Sequence, residues 1–450
     1  MKKLQKLINY QSTVDSLLFL SLIYIFFSLL FSRSFVGIYV IGFRIGEIFM
    51  FISLISFIFF LFLKNKQNIL TKNLQIIFGL MLISFFFVVF ISNSSLLDTY
   101  TFRTSTYIWS LGFLMLGIHS RKLSPNKFFL SLLFGILITT YLVAILDFPN
   151  FVQNIFLNYS DKYEPHKAAD IVLIILIFST YLNNYFKNSF NSLAINFLVF
   201  SLFLPLLLYK SRASFISCII YFFYVVFENR KIIKSNILKV FLVLLPCLVI
   251  MTSSTILSQR LVIQEYSIEE ISGTYSSLGQ YKFDTYQEEE RLFYIENGRL
   301  YSADGNLNWR LRMWQDQIIF TLDDGNILSG VGYKEILKVF IVETPPKGGD
   351  VRNPGSYGND RRGLDGLNEN LHNYFLTIFA RGGLIHFSIF ILFYIFLIFN
   401  VNKSQLILFL SILFSILFVS SFDSSMENAH FPLIFHFFVG NYFFNINLKS

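Results

Sequence analysis

Charge is what this sequence has least of. Only 14% of its 450 residues are Asp, Glu, Lys or Arg, against about 25% in an average soluble domain. Cysteine is nearly missing too. Cys218 and Cys247 are the only two, and both fall within apolar runs, so neither a disulfide framework nor a thiolate metal site is implied. No GxxxxGK[ST], HExxH, CxxC or GxSxG stretch occurs, which argues against P-loop ATP hydrolysis, zinc proteolysis and the nucleophile elbow of serine hydrolases. There is no internal repeat, and no low-complexity tract beyond an excess of Phe, Ile and Leu.

What is present instead is apolar length. The chain is 54% hydrophobic and 19% aromatic, with a mean hydropathy of +0.58. Apolar runs of the length needed to cross a hydrocarbon layer of about 30 Å recur throughout. They lie near 14–31, 38–63, 74–92, 100–118, 127–146, 168–186, 192–208, 213–227, 237–257, 374–399, 404–422 and 431–444. The pattern predicts an all-α polytopic membrane protein of about twelve transmembrane helices, with one large extracytoplasmic loop. It divides as 1–257 (about nine helices), 258–371 (the loop) and 372–450 (about three helices). The first run follows Lys2, Lys3 and Lys6 in the manner of a signal sequence, but no small-residue cleavage site follows, so it reads as a retained anchor.

Orientation follows from the positive-inside rule. With both termini cytoplasmic, sixteen Lys and Arg fall in the inner connections and ends, against seven at the outer ones: Arg33, Arg103, Lys162, Lys167, Lys210, Arg212 and Arg381. The long connection between Leu257 and Leu371 holds 18 of the 28 acidic residues and 12 of the 36 basic ones, a net −6 against +14 for the rest. The basic excess is therefore a topology signal rather than a sign of nucleic-acid binding.

The long loop reads in three parts. Residues 259–305 alternate weakly, as short strands or irregular chain would. The stretch NLNWRLRMWQDQIIFTLDDGN places Leu311, Trp314, Ile318 and Leu322 at helical spacing before an Asp-Asp-Gly-Asn stop, which predicts an amphipathic helix on the outer surface. Arg310 and Trp314, four apart, share a face, and Arg312 points elsewhere. The third part, ETPPKGGDVRNPGSYGNDRRGLDGLNEN, has the Gly, Pro and Asn content of a flap.

Several residues stand out as candidates for chemistry, each with a plainer explanation beside it. Lys210 and Arg212 in YKSRASF are cations at an outer turn, where the other loops avoid them; they either bind an anion or snorkel to lipid phosphates. Arg310 and Arg312 add guanidinium on the same side, suited to phosphate oxygens, or else form a solvated helix face. His372, beside Asn373 at the mouth of a span, is the best placed general base or merely a capping neighbour. His166, His430 and His436 compete with it. Arg44 and Glu47, three apart in the second span, read as an intramembrane ion pair. Arg103 and Arg381 line a cationic mouth or anchor helix ends.

Taken in order, KSRASF opening a helix, RLRMW followed by GNILSGVGY, and LHNYFLTIFARGGLIH leading back into the membrane resemble the O-antigen ligase/polymerase family of bacterial envelopes. The likeness is best over 208–440 and only topological before that. It implies a glycosyltransferase of the inner membrane, working at the periplasmic face with a glycan on undecaprenyl diphosphate, without metal, nucleotide or other cofactor. By the same likeness Arg212, Arg310 and His372 are catalytic, with Lys210, Arg312, Trp314, Asn373, Arg103 and Arg381 binding substrate. Ala213 stands where a glycine is frequent in the family, and the acidic insertion before Arg310 is a departure. The implied acceptor is a growing glycan (a polymerase, slightly favoured by the long idiosyncratic loop) or lipid A-core or protein (a ligase). Contacts with a chain-length regulator and a flippase follow as expected partners, besides membrane lipids. A non-catalytic flippase or transporter is the reading from another class; it calls for polar residues midway along several spans and no 100-residue exterior loop.

Overall fold

The computed structural model describes residues 10–61, 69–95, 99–120, 123, 125–161, 163–187, 189–272, 293–296, 298–302, 305–323, 327–333, 337 and 371–444. The Gly, Pro and Asn-rich third part of the long loop, from Glu343 to Asn370, lies outside the described residues, as does Lys162.

The architecture is helical, as the apolar runs predict. In chain order the helices are α1 (Tyr10–Val36), α2 (Ile45–Leu61), α3 (Ile69–Ile91), α4 (Thr99–Thr104), α5 (Thr106–Trp109), α6 (Leu111–His119), α7 (Lys127–Leu146), α8 (Asn150–Tyr159) and α9 (Ala168–Tyr185). They continue as α10 (Phe190–Lys210), α11 (Arg212–Glu228), α12 (Arg230–Ser235), α13 (Ile237–Ser272), α14 (Gly305–Asp323), α15 (Tyr374–Asn400), α16 (Leu406–Ser420) and α17 (His430–Phe443). Among the described residues, eight helices are long and apolar enough to cross a membrane. The other four expected spans correspond to shorter helices or, at 99–119, to three short helices in a row.

That interruption has a local cause. Ser105 Oγ donates back to Thr101 O at 2.6 Å and accepts from Trp109 Nε1 at 2.8 Å. Hydroxyls that bond neighbouring backbone compete with a continuous helix. The second span likewise begins later than expected. Residues 39–44 form a two-stranded hairpin, β1 (Tyr39–Val40) with β2 (Phe43–Arg44). Ile41 and Gly42 both have positive φ there, the backbone of a tight primed turn. The sequence reading also missed α8, a surface helix with Phe151, Leu157 and Tyr159 exposed. Helix α13 runs past Leu257 to Ser272, so the long connection starts as helix.

Burial separates the helices into layers. Every residue of α17 and nearly every residue of α6 and α9 is buried. Helices apolar on all sides belong in the middle. Helix α13 is exposed along most of its apolar length, as a lipid-facing helix should be. The crossing of α6 and α17 is tight enough to need glycine. A Cβ on Gly440 would sit 2.3 Å from Leu114 O, and one on Gly117 2.5 Å from Phe437 O. Small residues that let two backbones touch are how membrane helices pack without a hydrophobic driving force.

Gly440→Val is accordingly expected to cost about 1–3 kcal/mol as an overpacked crossing, read as a lowered thermal midpoint in detergent. Gly135→Val, where nothing lies within 4 Å of the added Cβ, should leave the midpoint nearly unchanged.

Candidate functional site

The end of the bundle that carries the long loop collects the candidate residues. Helix α14 forms where the sequence predicts a helix, but it buries a different face. Met313, Asp316, Gln317 and Thr321 are buried, while Ile318 and Leu322 of the expected apolar stripe are exposed. A ribbon of β3 (Phe293–Glu296) and β4 (Arg299–Ser302) makes this possible. Arg299 pairs with Asp316, and the Gln315 amide brackets Leu300 through its N–H and carbonyl at 2.8 Å each. Gln317 donates to the Thr321 hydroxyl at 3.1 Å, and that hydroxyl donates to Gln317 O at 2.7 Å.

Beside Met313 on the inner side of α14, Trp314 fixes the approach to α15. Its indole N–H donates to Leu371 O at 2.8 Å, and its ring lies 5.8 Å from that of Phe422. Arg310, one helical turn before Trp314, is half-buried, as is Arg312. Next comes His372, half-buried, with φ +49. This left-handed backbone is costly for a non-glycine residue and is held by its surroundings. Leu371 N donates to Thr377 Oγ1 at 3.4 Å on one side. On the other, Asn373 caps α15 by accepting from Leu376 N at 3.0 Å.

Further along, α15 is broken at Gly383 (φ +66, ψ −175). A regular helix would bond Leu384 N to Ala380 O and Ile385 N to Arg381 O. Instead residues 327–332 insert. Leu384 N and Ile385 N donate to Ile327 O and Leu328 O at 2.7 and 3.3 Å, and Ala380 O and Arg381 O accept from Val331 N and Gly332 N at 2.8 and 3.0 Å. Only glycine fits at the contact: a Cβ on Gly330 would lie 2.4 Å from Arg381 O. Arg381 is therefore no part of a cationic mouth. It is 1% exposed, and its Nη1 donates to Gly332 O at 3.1 Å, locking the inserted segment. Tyr333, which ends that segment, continues inward through a buried chain that the sequence reading missed. Its hydroxyl meets that of Tyr107 at 2.7 Å; Tyr107 reaches His386 Nε2 at 2.5 Å, and His386 Nδ1 meets Ser84 Oγ at 2.6 Å.

On the neighbouring side stand Lys210 and Arg212, both exposed, where α10 passes into α11. Ser211 caps α11 by accepting from Ser214 N at 3.4 Å, and Lys210 Nζ donates to His166 O at 3.3 Å. His166 repairs a second break. At Ser32 (φ +50) helix α1 is interrupted, and Leu29 O accepts from His166 Nε2 at 2.9 Å. Burial holds the His166 imidazole below its usual pKa, so it stays neutral and is spent as a donor. The competitors are engaged as well. His430 Nε2 bonds Asp170 Oδ1 at 2.9 Å, and His436 Nδ1 meets Ser110 Oγ at 3.0 Å.

Arg44 and Glu47 are not an intramembrane pair. Arg44 lies in β2, ahead of the helix, and Nη2 pairs with Asp161 at 2.5 Å, while Glu47 accepts from the Arg44 backbone N at 3.1 Å and so caps α2. Arg103 is placed on α4, its side chain outside the described residues.

The structure joins the two sides through the α16–α17 connection. Lys167, next to His166, is 3.6 Å from Asp423, and Phe422 packs on Trp314. Lys210, Trp314 and Asn373 thus belong to one contiguous end, with Arg212, Arg310, Arg312 and His372 on the elements that build it. The lone acid at the start of the sixth apolar run, Asp170, was the signal in the sequence for the buried cluster behind them.

Replacing Trp314 with Phe keeps a smaller aromatic ring and removes the hydrogen bond to Leu371, which by itself is an expected loss of about 0.5–1.5 kcal/mol. Gly383→Ala should be far more damaging, since its Cβ would meet Leu328 O at 2.4 Å. Thermal unfolding of the two purified variants in detergent orders them; equal midpoints would refute the insertion as a stabilising contact.

Residues 197–391 match the family model described as O-Antigen ligase. No curated protein matches the chain, and no solved structure does either. The matched segment contains Lys210, Arg212, Arg310, Trp314, His372 and the break at Gly383 with the segment that fills it. That match supports the O-antigen ligase/polymerase family and, in general terms, glycan transfer, and the apolar helices are those of a multi-pass membrane protein.

Proposed function

We propose that the protein is an inverting, metal-independent glycosyltransferase that takes a glycan from undecaprenyl diphosphate at the periplasmic face of the inner membrane. The family match over 197–391 carries this reading. The twelve crossings, the cytoplasmic termini and the boundaries at 257 and 371 belong to the same proposal.

In the reaction, an acceptor hydroxyl attacks the anomeric carbon of the donor glycan. His372 takes the hydroxyl proton as the new C–O bond forms. The bond from the anomeric carbon to the diphosphate breaks, and its electron pair leaves with the lipid diphosphate. Arg212 and Arg310 stabilise the charge that develops there, assisted by Lys210 and Arg312. Arg212 opens α11, so the positive end of that helix helps on the same side. Trp314 and Asn373 hold the His372 turn. The apolar surface between helices takes the polyprenyl tail. Attack opposite the leaving group inverts the anomeric configuration.

His372→Asn tests the base most cleanly, since Asn tolerates the left-handed backbone that residue 372 adopts. Transfer is expected to fall by about 10²- to 10⁴-fold, with insertion and expression unchanged. Arg212→Ala should abolish it. Surface glycan of normal length from either variant would remove that residue from the mechanism.

The acceptor is another lipid-linked repeat, a polymerase reaction favoured by the long acidic loop, rather than lipid A-core. Deleting the gene and separating the surface glycan on a gel decides the matter. Single repeats on the lipid core mean a polymerase; long lipid-linked chains that never reach the core mean a ligase.

A further inference from the structure

A second feature lies almost wholly outside the family-matched segment. Where the end of α1, the β1–β2 hairpin, α4 and the α16–α17 connection meet, the bundle encloses a cavity of about 170 Å³. Arg33, Arg44, Asp161, Asn428 and His430 line it, with Phe102 alongside.

Both guanidiniums of the lining are paired with carboxylates, and Glu47 and Glu427 add two more acids to the wall. Arg33 donates to Glu164 at 2.5 Å and to Asn428 Oδ1 at 2.6 Å, and Arg44 pairs with Asp161 at 2.5 Å. A diphosphate needs guanidinium that no carboxylate has neutralised, and this wall offers little of it. Paired donors and acceptors suit hydroxyl groups instead, because each hydroxyl both gives and takes a hydrogen bond. The aromatic side chain at the rim suits the apolar C–H face of a sugar ring.

His430 supplies the second observation. It is 2% exposed, and its Nε2 faces the carboxylate of Asp170, which also accepts from Ser32 Oγ at 2.6 Å. A carboxylate partner puts the proton on Nε2 and leaves Nδ1 an acceptor. Nδ1 makes no hydrogen bond to any described residue. A buried acceptor without a donor beside a polar cavity calls for one.

We infer that this cavity is a carbohydrate subsite that holds one pyranose ring of the glycan substrate, with His430 Nδ1 accepting from a ring hydroxyl. The inference rests on the glycan transfer proposed above and names a place where the glycan is gripped. The size agrees: pockets for drug-sized ligands run to roughly 300–1,000 Å³, so this one admits a single ring and not a whole repeat unit.

The test uses the full chain in lipid nanodiscs and, as probe, the oligosaccharide released from the host's own surface polysaccharide, followed by saturation-transfer NMR. His430→Gln keeps an N–H for Asp170 and removes the Nδ1 acceptor; Phe102→Ala removes the aromatic contact. Each is expected to weaken binding about tenfold, with the signal lost from one ring, and to raise the acceptor KM while kcat holds. His372→Asn should bind like the parent while failing to transfer. Undetectable binding to the parent, or parental affinity in both variants, overturns the subsite. Binding that behaves as expected in a protein without transfer activity would instead overturn the proposed reaction and leave the subsite standing.

Discussion

Four backbone hydrogen bonds between residues 327–332 and the broken helix α15 hold the candidate site together. In a bilayer every backbone polar group must find a partner inside the protein, and irregular chain is tolerated only where protein buries it. The break at Gly383 frees two donors and two acceptors, and the segment preceding Tyr333 takes all of them. A soluble-looking loop is thereby stitched into a membrane helix. His372 stands at the N-terminal end of the same helix, so anything that shifts the insertion shifts the proposed base.

A similar repair occurs in α1. The break at Ser32 frees Leu29 O, which His166 satisfies, and the Ser32 hydroxyl goes to Asp170. The two breaks lie in different parts of the chain and are answered by different chemistry, backbone in one case and side chain in the other. Both bring polar groups to the edge of an apolar bundle and give the freed backbone carbonyls partners. Between them, ion pairs of Arg33, Arg44 and Lys167 with Glu164, Asp161 and Asp423 tie the connections together. Partly buried pairs of this kind resist screening better than exposed ones.

The membrane helices were legible in the sequence because hydrophobic length is a local property. The run at 127–146 matches α7 residue for residue, while the run from 38 hid a hairpin, because Ile41-Gly42 is apolar and so carries no hydropathy signal. In α14 the local stripe of Leu311, Trp314, Ile318 and Leu322 misled. The buried face contains Asp316 and Gln317; Asp316 is tolerable inside because Arg299 arrives from β4, and Gln317 bonds Thr321 one turn along the same helix. Arg381 misled for the same reason: an arginine near a helix end looks like a surface anchor until the partner carbonyl of Gly332, 49 residues away, is known.

The sequence by itself determined the class of protein and the order of its motifs, since hydropathy, the Lys and Arg bias and short residue patterns need no knowledge of distant neighbours. Tertiary structure decided which polar residues are spent on holding the chain together and which remain for chemistry. Arg381, His166 and Glu47 bond backbone, and Arg44 meets a carboxylate more than a hundred residues away. Lys210 belongs to both groups, exposed at the site's edge while its Nζ bonds His166 O. That division depends on partners far apart in the chain, and burial makes each pairing obligatory.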